Sequence, residues 1–112
     1  MTEAAQEPMN ESENAWMAAT HISNSLPDQG VYVAFTAPWC GPCKAMKPVM
    51  ERLAGELGRN LYILNVEELK GLTVAFNIRA VPTVLRLVDG MPVTARLVGG
   101  KSEAELREFM RV

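Results

Sequence analysis

Apolar positions recur along the chain at two spacings, and the switches between them mark out the elements. Trp16, Ala19, Ile22, Ser23 and Leu26 repeat near helical spacing after Ser12, whose hydroxyl suits a helix N-cap, and Pro27 stops the run. Pro27-Asp28-Gln29-Gly30 is a turn signal. Val31 to Thr36 is then a short, β-branched, almost wholly apolar run of the kind that forms a central strand buried on both faces. From Cys40 to about Leu57 the spacing predicts a long helix with Met46, Val49, Met50, Leu53 and Leu57 inward, kinked at Pro48. Asn60 to Val66 alternates as a second parallel strand, and Glu68 to about Asn77 reads as a short helix broken near Gly71. Thr83 to Val88 and Val93 to Val98 flank Asp89-Gly90, a strong hairpin signal. Gly99-Gly100 ends the sheet, and Ser102 caps a last helix with Leu106, Phe109 and Met110 facing inward. The order α β α β α β β α, with a right-handed crossover and one antiparallel hairpin, predicts an α/β domain: a mixed sheet with helices on both faces.

Composition narrows this without changing it. At 112 residues and 48% hydrophobic, the chain makes one domain with a core that needs no staples. Residues 1 to 11 are polar and aperiodic and read as an N-terminal extension; residues 12 to 112 form the domain. No apolar run approaches a bilayer span and no basic segment precedes an apolar one near Met1, so a soluble, unexported, cytoplasmic monomer is expected. The first basic residue is Lys44. Residues 1 to 43 carry five acids and no base, and the remainder eleven bases against eight acids. So mixed a surface leaves no nucleic-acid footprint and no membrane-binding patch.

The chemistry sits in Trp39-Cys40-Gly41-Pro42-Cys43, which holds both cysteines of the chain. On the first turn of a helix this spacing lets the two sulfurs close a disulfide. The attacking species in disulfide exchange is the thiolate, and the positive end of the helix dipole stabilises it at the N-terminal position. Cys40 is therefore the expected nucleophile, and Cys43, one turn in and more covered, the residue that resolves the mixed disulfide. Pro42 suits a first helical turn, and Gly41 lets the backbone turn sharply. Trp39, at a strand's carboxyl end, is expected to be exposed and to contact substrate. A structural zinc site wants four ligands, and His21 is the one other N or S donor of the kind; metal is not expected.

The stretch Phe35-Thr36-Ala37-Pro38-Trp39-Cys40-Gly41-Pro42-Cys43-Lys44 resembles the active site of thioredoxins, and Ala80-Val81-Pro82-Thr83 resembles the family's cis-proline segment. The likeness runs from about the middle of the first predicted helix to the C-terminus and is weakest before Val31. It implies a three-layer α/β/α thioredoxin fold around a mixed sheet of four or five strands, five if the family's first edge strand is present. It implies a cis Val81-Pro82 bond, active-site support from Trp39, Gly41, Pro42, Lys44 and Pro82, and a substrate groove of Trp39, Val81, Pro82 and Gly99. It implies a protein-disulfide reductase with no cofactor beyond the redox-active Cys40-Cys43 disulfide, acting on substrate proteins with disulfides and recharged by a thioredoxin reductase or an equivalent donor.

The likeness has gaps. Thioredoxins commonly carry a buried Asp at the position of Ala34, a Lys on the adjacent strand at the position of Ile63, and a Trp at Thr36. With these absent the pair keeps its nucleophile but not its internal base. A second class stays open on sequence: a binding module of the same fold that docks on one partner, with redox activity secondary.

Overall fold

The computed structural model describes residues 8–26 and 30–111. The turn read at Pro27-Asp28-Gln29 and most of the 1 to 11 extension lie outside the described residues. The elements are α1 (Glu11–Ser25), β1 (Val31–Thr36), α2 (Gly41–Leu57), β2 (Asn60–Asn65), a 3₁₀ turn (Val66–Glu68), α3 (Lys70–Ala75), β3 (Thr83–Val88), β4 (Met91–Val98) and α4 (Glu103–Met110).

Every residue of β1 is buried, as its unbroken apolar run demands of a strand covered on both faces. It lies inside the sheet order β2-β1-β3-β4, parallel to β2 and antiparallel to β3, with β3 antiparallel to β4. Its side chains alternate between two cores. Tyr32 and Ala34 pack with Met46, Met50 and Leu53 of α2 and with Leu106 and Met110 of α4. Val31, Val33 and Phe35 pack on the other face with Ala19 of α1, Leu64 and Leu69, where Trp16 and Phe76 meet edge to face. The result is the expected three-layer mixed sheet, with four strands. Among the described residues no strand precedes α1, so β2 is an edge.

Several boundaries differ from the sequence reading, each for a local reason. The N-cap of α1 is Asn10, not Ser12: Asn10 Oδ1 accepts from Glu13 N at 2.7 Å and Asn10 N donates to Glu13 Oε1 at 2.8 Å, a reciprocal capping box. Ser12 is spent on the sheet instead, its hydroxyl accepting from Asn65 N at 2.9 Å. Helix α1 thus starts at Glu11, one residue before Ser12. The break before α3 falls at Leu69, not Gly71, because Asn65 Oδ1 accepts from Glu67 N and winds the chain into the 3₁₀ turn. That capping also ends β2 one residue before Val66. The last strand begins at Met91, two residues before Val93, because β4 is an edge and Pro92 can face Leu87 without a missing ladder bond on the outer side. Asp89 and Gly90 both have positive φ, 53° and 76°, as a two-residue primed hairpin turn requires. Helix α2 runs on through Pro48, which is exposed.

Candidate active site

Strand β1 carries the chain from the middle of the sheet to its carboxyl edge, where Ala37 is buried and Pro38 and Trp39 emerge. Trp39 is 68% exposed, as its place at the strand's carboxyl end predicts. Its indole is held in place, Nε1 donating to Glu67 Oε2 at 2.9 Å. Glu67 was not singled out from sequence. Its one signal was its place just past the carboxyl end of a parallel strand, where open α/β sheets gather their sites.

Cys40 is the N-cap residue of α2, and Pro42 sits in the first turn. Cys40 and Cys43 form a disulfide with Cα atoms 5.3 Å apart. Cys43 N donates to Cys40 Sγ at 3.2 Å, so the first sulfur occupies the place where a capping oxygen would accept. An anion there gains both this hydrogen bond and the helix dipole. The expectation that Cys43 is the more covered of the two is corrected: each is 4% exposed, because the bond draws both sulfurs against Ala37, Val66 and Val81. Position on the helix, not exposure, distinguishes them.

The second segment closes on the first. Val81-Pro82 is cis, as the resemblance implied, and Val81 O lies 3.7 Å from Cys40 Sγ. Pro82 is buried, and its carbonyl accepts from Gly99 N at 2.8 Å; a Cβ on Gly100 would touch Pro42. Val81 thereby stands beside Cys40, and Gly99 is tied to Pro82. A cavity of about 170 Å³ opens between Trp39 and Val81, floored by Thr73 and Ile78.

A second crevice, of about 190 Å³, lies behind Cys43 between the end of β1, α2 and β2. Lys44 and Lys47 both line it, and both are exposed. Sequence reading named Lys44 but passed over Lys47, whose signal was its spacing one helical turn after Cys43. Ala34 and Ile63 are register partners on β1 and β2, and Ala34 is wholly buried. Two of the three departures from the thioredoxin pattern, Ala34 and Ile63, are therefore neighbours, and both are apolar. Thr36 donates its hydroxyl to Leu64 O at 2.8 Å, tying the strand end to β2. His21 stands exposed on α1, away from the pair, and among the described residues no cluster of His, Cys, Asp or Glu could hold a metal.

The comparisons agree with this geometry. The family model for thioredoxin matches residues 11–112. The chain is 37% identical over 91 residues to the M-type chloroplastic thioredoxin of Spinacia oleracea, a match covering 80% of this chain and 48% of that protein, so it spans about half the length of that relative. It is 35% identical over 91 residues to the thioredoxin of Haemophilus influenzae, covering 80% of this chain and 81% of the relative. Among solved structures, thioredoxin NaTrxh of Nicotiana alata superposes with a TM-score of 0.75 at 32% identity, over 95% of this chain and 94% of that one. A sulfur pair at a helix N-terminus, facing a cis proline on this fold, makes the chain a thiol–disulfide oxidoreductase whose redox group is its own Cys40-Cys43 disulfide. By the extent of these matches, the chain belongs to the thioredoxin family.

Proposed function

We propose that the chain reduces disulfides in other proteins, with Cys40 as nucleophile and Cys43 as resolving thiol. The observation that carries the reading is the place of Cys40 Sγ, which accepts from Cys43 N at the start of α2 and lies 3.7 Å from Val81 O. In the reduced form the Cys40 thiolate attacks one sulfur of the substrate disulfide, and the other sulfur leaves as a thiolate. Cys43 then attacks Cys40, releasing the second substrate thiolate and re-forming the Cys40-Cys43 bond. Two electrons pass from the dithiol to the substrate, and an external donor of the thioredoxin-reductase kind returns them. An extended substrate segment lies along Val81, whose half-buried backbone borders the sulfur, between Trp39 on one side and Gly99 on the other. Gly41 and Pro42 set the turn, Pro82 fixes the facing segment, and Lys44 adds positive charge one turn from Cys40.

The catalytic unit is residues 12 to 112, acting as a monomer, and residues 1 to 11 are an extension outside the chemistry. A working dithiol belongs in a reducing compartment, and the cytoplasm is the assigned one. The matches favour this reading over a docking module in which redox activity is secondary.

The test is turnover of a protein disulfide with NADPH and a thioredoxin reductase. Cys40→Ser abolishes turnover, whereas Cys43→Ser accumulates a mixed disulfide with substrate that mass spectrometry detects. A Cys40→Ser variant that still turns over, or trapping through Cys43 instead, overturns the assignment of roles.

A further inference from the structure

Each cysteine of the pair is followed one helical turn later by a lysine: Lys44 after Cys40, and Lys47 after Cys43. The i, i+4 spacing puts the members of each pair on one face, and helical side chains lean toward the N-terminus, so Lys47 leans back toward Cys43. The two line a single crevice, with Thr36 and Pro38 on one wall and Ile63 and Asn65 of β2 on the other. Among the described residues Lys47 enters none of the ion pairs. The charged groups around it are Lys44 and, one turn further on, Glu51 of its own helix, and Glu11 of α1 and Glu68 of the 3₁₀ turn, which line an adjoining crevice together with Lys47. Glu68 Oε1 is already engaged by Ser12 N at 3.2 Å. The walls from β1 and β2 carry no charge.

The resolving thiol must ionise before it attacks, and apolar burial opposes that. Ile63 lines the crevice with Cys43, and Ala34 is its register partner on β1; neither can take a proton. We propose that Lys47 is a positioning residue for the resolving half-reaction: its ammonium holds the Cys43 thiolate, while the thiol proton leaves to water through the crevice. The inference rests on Cys43 being the resolving cysteine. In the step itself the Cys43 S–H bond breaks and its proton passes to water. The thiolate then bonds to Cys40 Sγ, and the bond from Cys40 to the substrate sulfur breaks. The departing substrate thiolate takes its proton from solvent.

The experiment starts from the Cys40 mixed disulfide with thionitrobenzoate, made on the full chain, and follows release of the coloured thiolate by stopped flow across pH. Removing the charge in Lys47→Met lowers the thiolate fraction of Cys43 below its midpoint, partly offset because a more basic thiolate is a better nucleophile. With a Brønsted slope of about 0.4–0.5, each tenfold loss of thiolate slows release by about three- to fourfold. We expect the Lys47→Met midpoint to move up in pH, with release about three- to tenfold slower at pH 7 and equal or faster at high pH, so that the profiles cross. Lys47→Arg restores the parent profile, and Lys47→Glu moves the midpoint further up. Profiles that superimpose, or a slowing equal at every pH, overturn the role of Lys47. A parent mixed disulfide that releases no thiolate overturns the resolving role of Cys43 instead, and with it the inference.

Discussion

Ala34→Asp asks the apolar floor of the site to accept the group it lacks. Ala34 is fully buried on the central strand, in register with Ile63 on one side and Val84 on the other, and packs on Met46, Met50 and Leu53. None of these side chains can donate to a carboxylate, so the folded state holds the acid protonated and pushes its pKa up. In the unfolded chain the same carboxyl titrates near its usual value of about 3.9. Between those two values the native state binds more protons than the unfolded one, so stability falls as pH rises, and it levels off once the folded group ionises. Each pH unit in that window removes about 1.4 kcal/mol. Full burial raises such a group by about 3 to 5 pH units, which places the upper edge of the window at about pH 7 or above. The crevice beside Ile63 and Cys43 can admit some water and trim this. Relative to the parent, the oxidised variant should lose about 2 to 3 kcal/mol between pH 5 and pH 8, on top of about 1 to 3 kcal/mol of overpacking at both. Urea unfolding of the oxidised proteins at the two pH values measures this. An equal deficit at both pH values would show that position 34 meets water or a donor, and would refute the reasoning.

Glu67→Gln leaves the Trp39 indole with a neutral acceptor in place of a charged one, so it should loosen the tryptophan without unfolding the protein. The expected result is a raised KM for a protein disulfide with a stability change below about 1 kcal/mol, read by steady-state kinetics and urea unfolding. Arg52 and Arg107 bridge Glu56 of α2 and Glu103 of α4, and hydrogen bonds from Arg52 and then Arg107 lower both carboxyl pKa values. Their contribution is therefore present above the unfolded carboxyl pKa and lost as pH falls through the folded one. The network is exposed, so salt should mute it. Glu56→Gln should lower Tm at pH 7 in low salt and converge with the parent under acid or at high salt, by calorimetry. Asn10→Ala, which removes the α1 cap, should cost about 1 kcal/mol in urea unfolding.

What could be read from the chain was whatever a short window decides. β1 was legible because burial on both faces leaves an unbroken apolar run, and α2 because its cysteines and Pro42 carry the chemistry of a helix start. Asn10 and Ser12 both have capping side chains, and sequence alone cannot rank them. Asn10 is the cap because Ser12 is drawn to Asn65 and Glu68, more than fifty residues away. The break at Leu69 depends likewise on a side chain at Asn65 that caps a turn no periodicity announces. Trp39 and Glu67 are 28 residues apart, so their pairing required the register of β1 against β2.

The same register changes what the departures from the thioredoxin pattern mean. Read singly, an Ala and an Ile in place of an acid and a base are two losses. Paired side by side, with Ile63 in the crevice that Cys43 lines, they leave a wall that can neither take a proton nor offset a charge. The charges available to the resolving thiol then lie on its own helix, at the mouth of the crevice, where Lys44 and Lys47 stand in water. An electrostatic partner so placed is screened by salt where a buried one is not, since exposed charges interact over a Debye length of about 10 Å at 0.1 M and about 3 Å at 1 M. The resolving step of this chain should therefore slow as ionic strength rises, and the salt dependence should disappear in Lys47→Met if the lysine is its source.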